Sequence, residues 1–170
     1  MKQLTFFAIC SLLVPLTVTA LAGQTFSGCT KVDLQDPPRS VYQCAGGVTL
    51  EAEAATALGI QEREDSGRPT EVDLSSDGLY IEIDPGSGAF QIQTPHAIAA
   101  VRGTVYVVDV TETGTEVFVR EGEVSVSRAD GTNTVILTPG FGINVAPGEM
   151  MESRRWPQER VDSLLDRFGR

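Results

Sequence analysis

The chain is poor in the residues from which most active sites are built. One histidine, one tryptophan and three cysteines stand among 170 residues, aromatic side chains make up 6%, and 13 basic residues face 23 acidic ones. Each shortage excludes something. His96 follows Pro95 directly, and no G-x-S-x-G elbow exists to present a nucleophile to it, so a Ser-His-Asp hydrolase has no frame. No CxxC, HxxxH or comparable ligand spacing occurs, which leaves zinc without a site. The 17 glycines never form a phosphate-cradling loop between a strand and a helix. Asp77-Gly78 and Asp130-Gly131 lack the further acids of a calcium loop and read as hairpin turns. The expectation is a protein without catalytic residues, cofactor or metal, and not an enzyme. A net charge of −10 also repels phosphate backbones and anionic headgroups, so nucleic acid is not expected as a partner. The carboxylate pairs Glu82 with Asp84 and Glu121 with Glu123 read as solvated strand faces.

Long apolar runs are scarce too, and the first lies at the N-terminus. Lys2 precedes the apolar stretch 4–18, which leads into the small-x-small pattern Ala20-Leu21-Ala22. These are the marks of a secretory signal peptide over residues 1–22, and they imply a periplasmic or otherwise exported protein. Pro15 and the threonines interrupt the run, which is short for a spanning helix of about 20 residues. No later stretch is long enough to span a bilayer, so no stable membrane insertion is expected after cleavage. Loss of Lys2 takes the net charge from −10 to −11. Loss of Cys10 leaves Cys29 and Cys44, and in an oxidising compartment a bridge between them is the economical reading. Closing that loop stabilises the fold by about 3 kcal/mol. Phe26-Ser27-Gly28-Cys29 offers a rival, a loose lipobox with a lipid on Cys29. Gly23, Gln24 and Thr25 break the apolar run before it, and Cys44 would be orphaned.

What remains is rich in β-branched residues and turn glycines. Residues 48–53 and 71–74 alternate apolar and polar, the pattern of a strand with one buried face. Between them, 61–68 reads as polar loop. Asp77-Gly78 is expected to turn the chain into 79–83, and Pro85-Gly86-Ser87-Gly88 to turn it again into 89–93. The run 97–111 is broken by Arg102-Gly103-Thr104, which predicts two strands or a bulged one, since valine crowding and an internal glycine disfavour a helix. Strands 116–120, 123–127, 135–137 and 143–145 follow, separated by Thr113-Gly114-Thr115, Glu121-Gly122, Asp130-Gly131 and Pro139-Gly140, with Pro147-Gly148 closing the series. Turns at this spacing predict an all-β fold, its short strands stacked as a solenoid-like or sandwich-like domain. One short C-terminal helix is expected, because Val161, Leu164, Leu165 and Phe168 share one helical face between Pro157 and Gly169. That stripe can pack back on its own domain or dock a partner. The division is a signal peptide at 1–22, a β-rich domain at 23–150 and a helical tail at 151–170.

Thr94-Pro95, Val101-Arg102-Gly103-Thr104, Glu121-Gly122-Glu123-Val124, Leu137-Thr138-Pro139-Gly140 and Pro147-Gly148 occur in an order and spacing that resemble the FecR domain, over about 94–148. The resemblance implies a periplasmic β-rich module, a solenoid-like stack of short strands in known examples. The best-known members regulate iron uptake, reading an outer-membrane transporter and signalling through the inner membrane to a sigma factor. This sequence shows neither their cytoplasmic anti-sigma segment nor their membrane span, so the expectation is the module alone.

Arg102 and Gly103 are candidate recognition or structural residues. A glycine inside an apolar strand marks a bulge or a close backbone approach, and the planar arginine fork suits carbonyls or carboxylates. Glu121 and Glu123 form a candidate acidic edge. The function expected is a non-catalytic interaction or sensor module of the periplasm, with an envelope protein as partner. The alternative is a ligand- or cell-wall-binding structural protein, for which Trp156, Tyr42, Tyr80 and Tyr106 are a small aromatic endowment.

Overall fold

The computed structural model describes residues 28–62 and 66–170. The expected signal peptide and Cys10 lie outside the described residues. In chain order the strands are β1 (Cys29–Gln35), β2 (Pro38–Cys44), β3 (Val48–Glu53), β4 (Ala57–Glu62), β5 (Pro69–Ile83), β6 (Phe90–Gln93) and β7 (Ala97–Val101). There follow β8 (Val105–Val110), β9 (Thr115–Glu121), β10 (Val124–Arg128), β11 (Val135–Leu137), β12 (Phe141–Val145) and β13 (Arg154–Arg155), then the helix α1 (Gln158–Asp166). The fold is all-β with one short C-terminal helix, as the turn spacing predicts.

All thirteen strands belong to one curled sheet, and β5 is where it doubles back. The first half of β5 pairs with β4 and, in parallel, with β6. This rear layer continues through β7 and β10 to β11. The second half of β5 pairs with β3 and β8, in a front layer that runs from β1 and β2 to β9, β12 and β13. Every ladder except β5–β6 is antiparallel, so the strands fold back on one another rather than coil as a solenoid.

Asp77-Gly78 is not a hairpin turn, because β5 runs through it from Pro69 to Ile83. Asp77 takes a left-handed φ of 61°, a conformation aspartate tolerates better than most residues. The bend it makes redirects the strand from one layer to the other instead of reversing it. Two further elements stand where no strand was expected. The β1–β2 hairpin precedes residue 48, and β4 reaches into the stretch read as polar loop.

Alternation places the core between the layers. Val48, Leu50, Leu79, Ile81, Tyr106, Val108, Val117 and Val119 from the front meet Val72, Leu74, Phe90, Ile92, Ala99, Val124 and Val126 from the rear in a single cluster. The Tyr106 hydroxyl is buried there without a hydrogen-bond partner, and burial raises its pKa far above that of an ordinary phenol. Cys29 and Cys44 face each other in the β1–β2 ladder and are bonded. The bridge uses the sulfur that a lipid on Cys29 would need.

The front layer is buried on its other face as well. Tyr80, Val107, Phe118 and Gly142 form one row across β5, β8, β9 and β12. The C-terminal tail covers that row with Trp156, Leu164 and Phe168. This is why 105–110 reads as a nearly continuous apolar run: both faces of β8 are covered. Trp156 stacks on Phe118 at 5.1 Å between ring centres, and Phe168 lies 5.9 Å from Tyr80. A Cβ on Gly142 would fall 2.4–2.7 Å from the indole, so only glycine admits the ring there. The helical stripe thus packs back on its own domain.

Ion pairs fasten the same tail. The Arg167 guanidinium donates to Asp109 at 2.6 and 3.1 Å and to Glu53 at 2.9 Å. Hydrogen bonding to Asp109, then to Glu53, raises its pKa further above the arginine value. Arg160 pairs with Glu116 at 2.7 Å and lies 3.6 Å from the Trp156 ring centre. Buried Glu51 accepts from both Arg39 and Arg170. Tyr80, with the Arg170 guanidinium 4.2 Å from its ring centre, has its pKa raised chiefly by burial.

Candidate interaction surface

The rear layer leaves its outer face open. Because Val72, Phe90, Ala99, Val101, Val124 and Leu137 point inward, their neighbours point out. The ladder register sets Gln61, Glu71, Gln91, Ala100, Ser125 and Ile136 in one row across β4, β5, β6, β7, β10 and β11. Ala100 and Ser125 are too small to fill the middle of that row. An open trough of about 620 Å³ results. Glu71 and Gln91 line one side, Ile136 the other, and Arg102 and Glu123 also border it.

The polar side is tied together. Gln61 Nε2 donates to Glu71 Oε1 at 3.1 Å and to Asp73 Oδ2 at 3.0 Å, and Gln91 Nε2 donates to Glu71 Oε2. The apolar side is exposed, with Ile136 56% accessible on the short edge strand β11. Arg102 and Glu123 are exposed, and among the described residues neither enters an ion pair. Both charges are available to a binding partner.

Two layer crossings place the backbone of both residues. The chain passes from rear to front between β7 and β8, at Arg102-Gly103-Thr104, and from front to rear between β9 and β10, at Gly122-Glu123. The two turns nest. Gly103 has φ 69°, and a Cβ there would lie 2.8 Å from the Pro85 Cα. Gly122 has φ 80°, and a Cβ there would lie 2.7 Å from Thr104 Cγ2 and 2.8 Å from the Gly103 carbonyl oxygen. The close backbone approach expected at Gly103 is therefore present, and the segments around Arg102 and Glu123 form one knot in space.

Of the candidates, Arg102 and Glu123 come together at the trough, and Gly103 supports the turn beneath. Glu121 is exposed at the end of β9 and does not line the trough. Arg102 is solvent-exposed, so it does not tie the turn from within as a half-buried arginine would. Glu71, Gln91, Ser125 and Ile136 escaped sequence reading. Their outward phase is legible, but the register that aligns six strands not all adjacent in sequence is not. Thr94, in another of the quoted motifs, is structural: its Oγ1 accepts from the Ala97 amide at 2.8 Å and bonds Thr115 Oγ1 at 2.9 Å. His96 sits half-buried at that strand end, its Nδ1 3.2 Å from Thr115 Oγ1. Among the described residues no three His, Cys, Asp or Glu side chains converge as a metal site would require.

These features define a class, an all-β module whose curled sheet encloses one core and presents an open outer trough at its layer crossings. Residues 35–125, a little over half of the chain, match the family described as FecR protein, and the chain belongs to that family. The match overlaps 94–148 and extends upstream through β2 to β6. Two crystal structures of a candidate anti-sigma factor from Parabacteroides distasonis ATCC 8503, at 1.65 and 2.50 Å resolution, share the fold, each with a TM-score of 0.63 and 18% identity. They align with 80% and 81% of this chain, which spans only 64% of the length of each. No curated protein is similar enough to count as a relative. No helix among the described residues is long and apolar enough to cross a membrane.

Proposed function

We propose that this chain is an exported, non-catalytic regulatory or sensor module of the bacterial periplasm, and that it binds an envelope protein partner through the rear trough. The family supports a regulatory role. The observation that carries the assignment to the trough is the nesting of two layer crossings, which sets the backbone so that exposed Arg102 and Glu123 both border the trough that Ile136 lines. A surface of this kind, with small side chains at its middle, an exposed isoleucine on one side and charges at its border, suits a protein chain. The likeness to a candidate anti-sigma factor is consistent with a place in a signalling complex. A glycan-binding role is disfavoured, because Tyr42, Tyr80, Tyr106 and Trp156 are all buried and the trough has only buried Phe90 as an aromatic neighbour.

A photoreactive amino acid at Ser125 or Ile136, in cells that export the protein, tests this. The expected result is one reproducible protein adduct, lost on Arg102→Glu and absent when the probe sits at exposed Glu112. No adduct, or the same adducts from Glu112, would overturn the assignment. Sedimentation with purified cell wall is expected to leave the protein in the supernatant.

A further inference from the structure

A second surface stands apart from the trough. Strand β1 pairs with β2 on one side, and among the described residues no strand pairs with its other edge. Six of its seven residues are exposed, and Val32 and Leu34, 49% and 37% accessible, present two large apolar side chains on one face. An open edge with exposed apolar side chains is a template for another strand. Natural edges of this kind are blunted by proline, a bulge, a cover or a charge, above all lysine. β1 has neither proline nor register shift along its length, and its one lysine is paired with Asp33.

The charges of β1 specify the occupant. Lys31 and Asp33 flank Val32 on the opposite face, 3.0 Å apart as an exposed ion pair. Consider a second copy laid antiparallel with a two-fold axis at Val32. Val32 then faces its own counterpart, Lys31 faces Asp33 of the other copy, and Asp33 faces Lys31. The two ion pairs merge into a four-charge ladder, and the four apolar side chains share one face. An axis at Lys31 or Asp33 instead sets like charges directly opposite, which is unfavourable. An axis between residues sets the apolar face of one strand against the polar face of the other. An axis at Thr30 or Leu34 leaves both charges without an opposite charge across the ladder, so the Val32 register alone satisfies both faces. We infer that β1 is a homodimerisation edge, with a second copy of this chain paired antiparallel about Val32. The interface is isologous, as a two-fold contact requires, and it joins the two front layers into one continuous sheet. It does not depend on the trough or on what binds there.

The test uses the full chain, expressed in an exporting host and purified in its processed form. Sedimentation is expected to show a concentration-dependent dimer. Lys31→Asp and Asp33→Lys each set like charges opposite one another twice and are expected to weaken association by about ten-fold or more. The double reversal Lys31→Asp/Asp33→Lys restores opposite charges in the same register and is expected to recover it. Val32→Cys is expected to cross-link to itself across the axis. Leu34→Cys is not, because its two copies are offset by about 13 Å along the strands. Trp156 fluorescence checks that each variant is folded. A chain that remains monomeric up to about 1 mM overturns the inference. So does cross-linking that is equal at positions 32 and 34, or a double reversal no better than the single ones. Amide protection of β1 in a monomer, from the chain's own N-terminal segment or from a strand of another protein, also overturns it.

Discussion

Replacing Gly142 by alanine adds one methyl group where the structure leaves no space. The new Cβ would lie 2.4–2.7 Å from three atoms of the Trp156 ring, well inside any tolerated contact. The β12 backbone is fixed by its ladders to β9 and β13, so the indole must yield. Forcing a methyl into a filled contact costs about 1–3 kcal/mol. The displaced ring also loses its stacking on Phe118, worth about 0.5–1.5 kcal/mol. Gly142→Ala should therefore destabilise the protein by about 2–4 kcal/mol. The cycle with Trp156→Ala isolates the cause. Without the indole, the three atoms nearest that Cβ are gone, and Gly142 has no left-handed φ to protect. In that background the alanine should be neutral or stabilise by up to about 1 kcal/mol, through the unfolded chain's lower entropy. The assay is urea unfolding with the disulfide intact. Circular dichroism serves all four proteins, and fluorescence of the sole tryptophan serves the two that retain it. If Gly142→Ala costs the same with and without Trp156, the reasoning fails and the glycine serves the strand rather than the tail.

Two further expectations concern the core and the hairpin. Tyr106→Phe removes a buried hydroxyl that has no partner, so it should stabilise the fold by about 1 kcal/mol at neutral pH. Tyr80 and Tyr106 both have raised folded pKa values, so their contribution is intact below about pH 10, where the unfolded phenol begins to ionise, and is lost as pH rises further. Burial of Tyr106 steepens the alkaline decline by up to about 1.4 kcal/mol per pH unit above about pH 10, and Tyr106→Phe should remove that contribution in urea titrations between about pH 10 and 11, leaving only the effect of Tyr80 in the same direction. Cys29→Ser/Cys44→Ser opens a loop of 15 residues in sequence separation and should lower stability by about 3 kcal/mol in thermal melts. A loss below about 1 kcal/mol would mean that the ladder alone holds the hairpin.

The second half of the fold is legible because its turns carry glycines and its strands alternate. Gly103, Gly122, Gly131, Gly140 and Gly148 all have positive φ at or near the expected breaks. Asp77-Gly78 misleads for a local reason. The same dipeptide makes a hairpin or a bend within a strand, and the difference is set by whether the flanking segments find one partner or two. β1 and β2 escape detection because β1 is mostly exposed and β2 mostly half-buried on both faces, so burial imposes no clean alternation on residues 29–44. The motifs around Arg102 and Glu123 can be read singly. Their nesting cannot, because it depends on where β7 and β10 pair across more than twenty intervening residues.

The continuity of β5 makes its two ends mechanically inseparable. Glu71, on the open face of the rear layer, and Tyr80, beneath the C-terminal tail, are nine residues apart on one unbroken strand, a path of about 30 Å along the backbone. A load on either end is carried by the same backbone, through the single bend at Asp77. The sheet should therefore lose its structure as one cooperative unit, and Trp156 should report the melting of a layer it never touches.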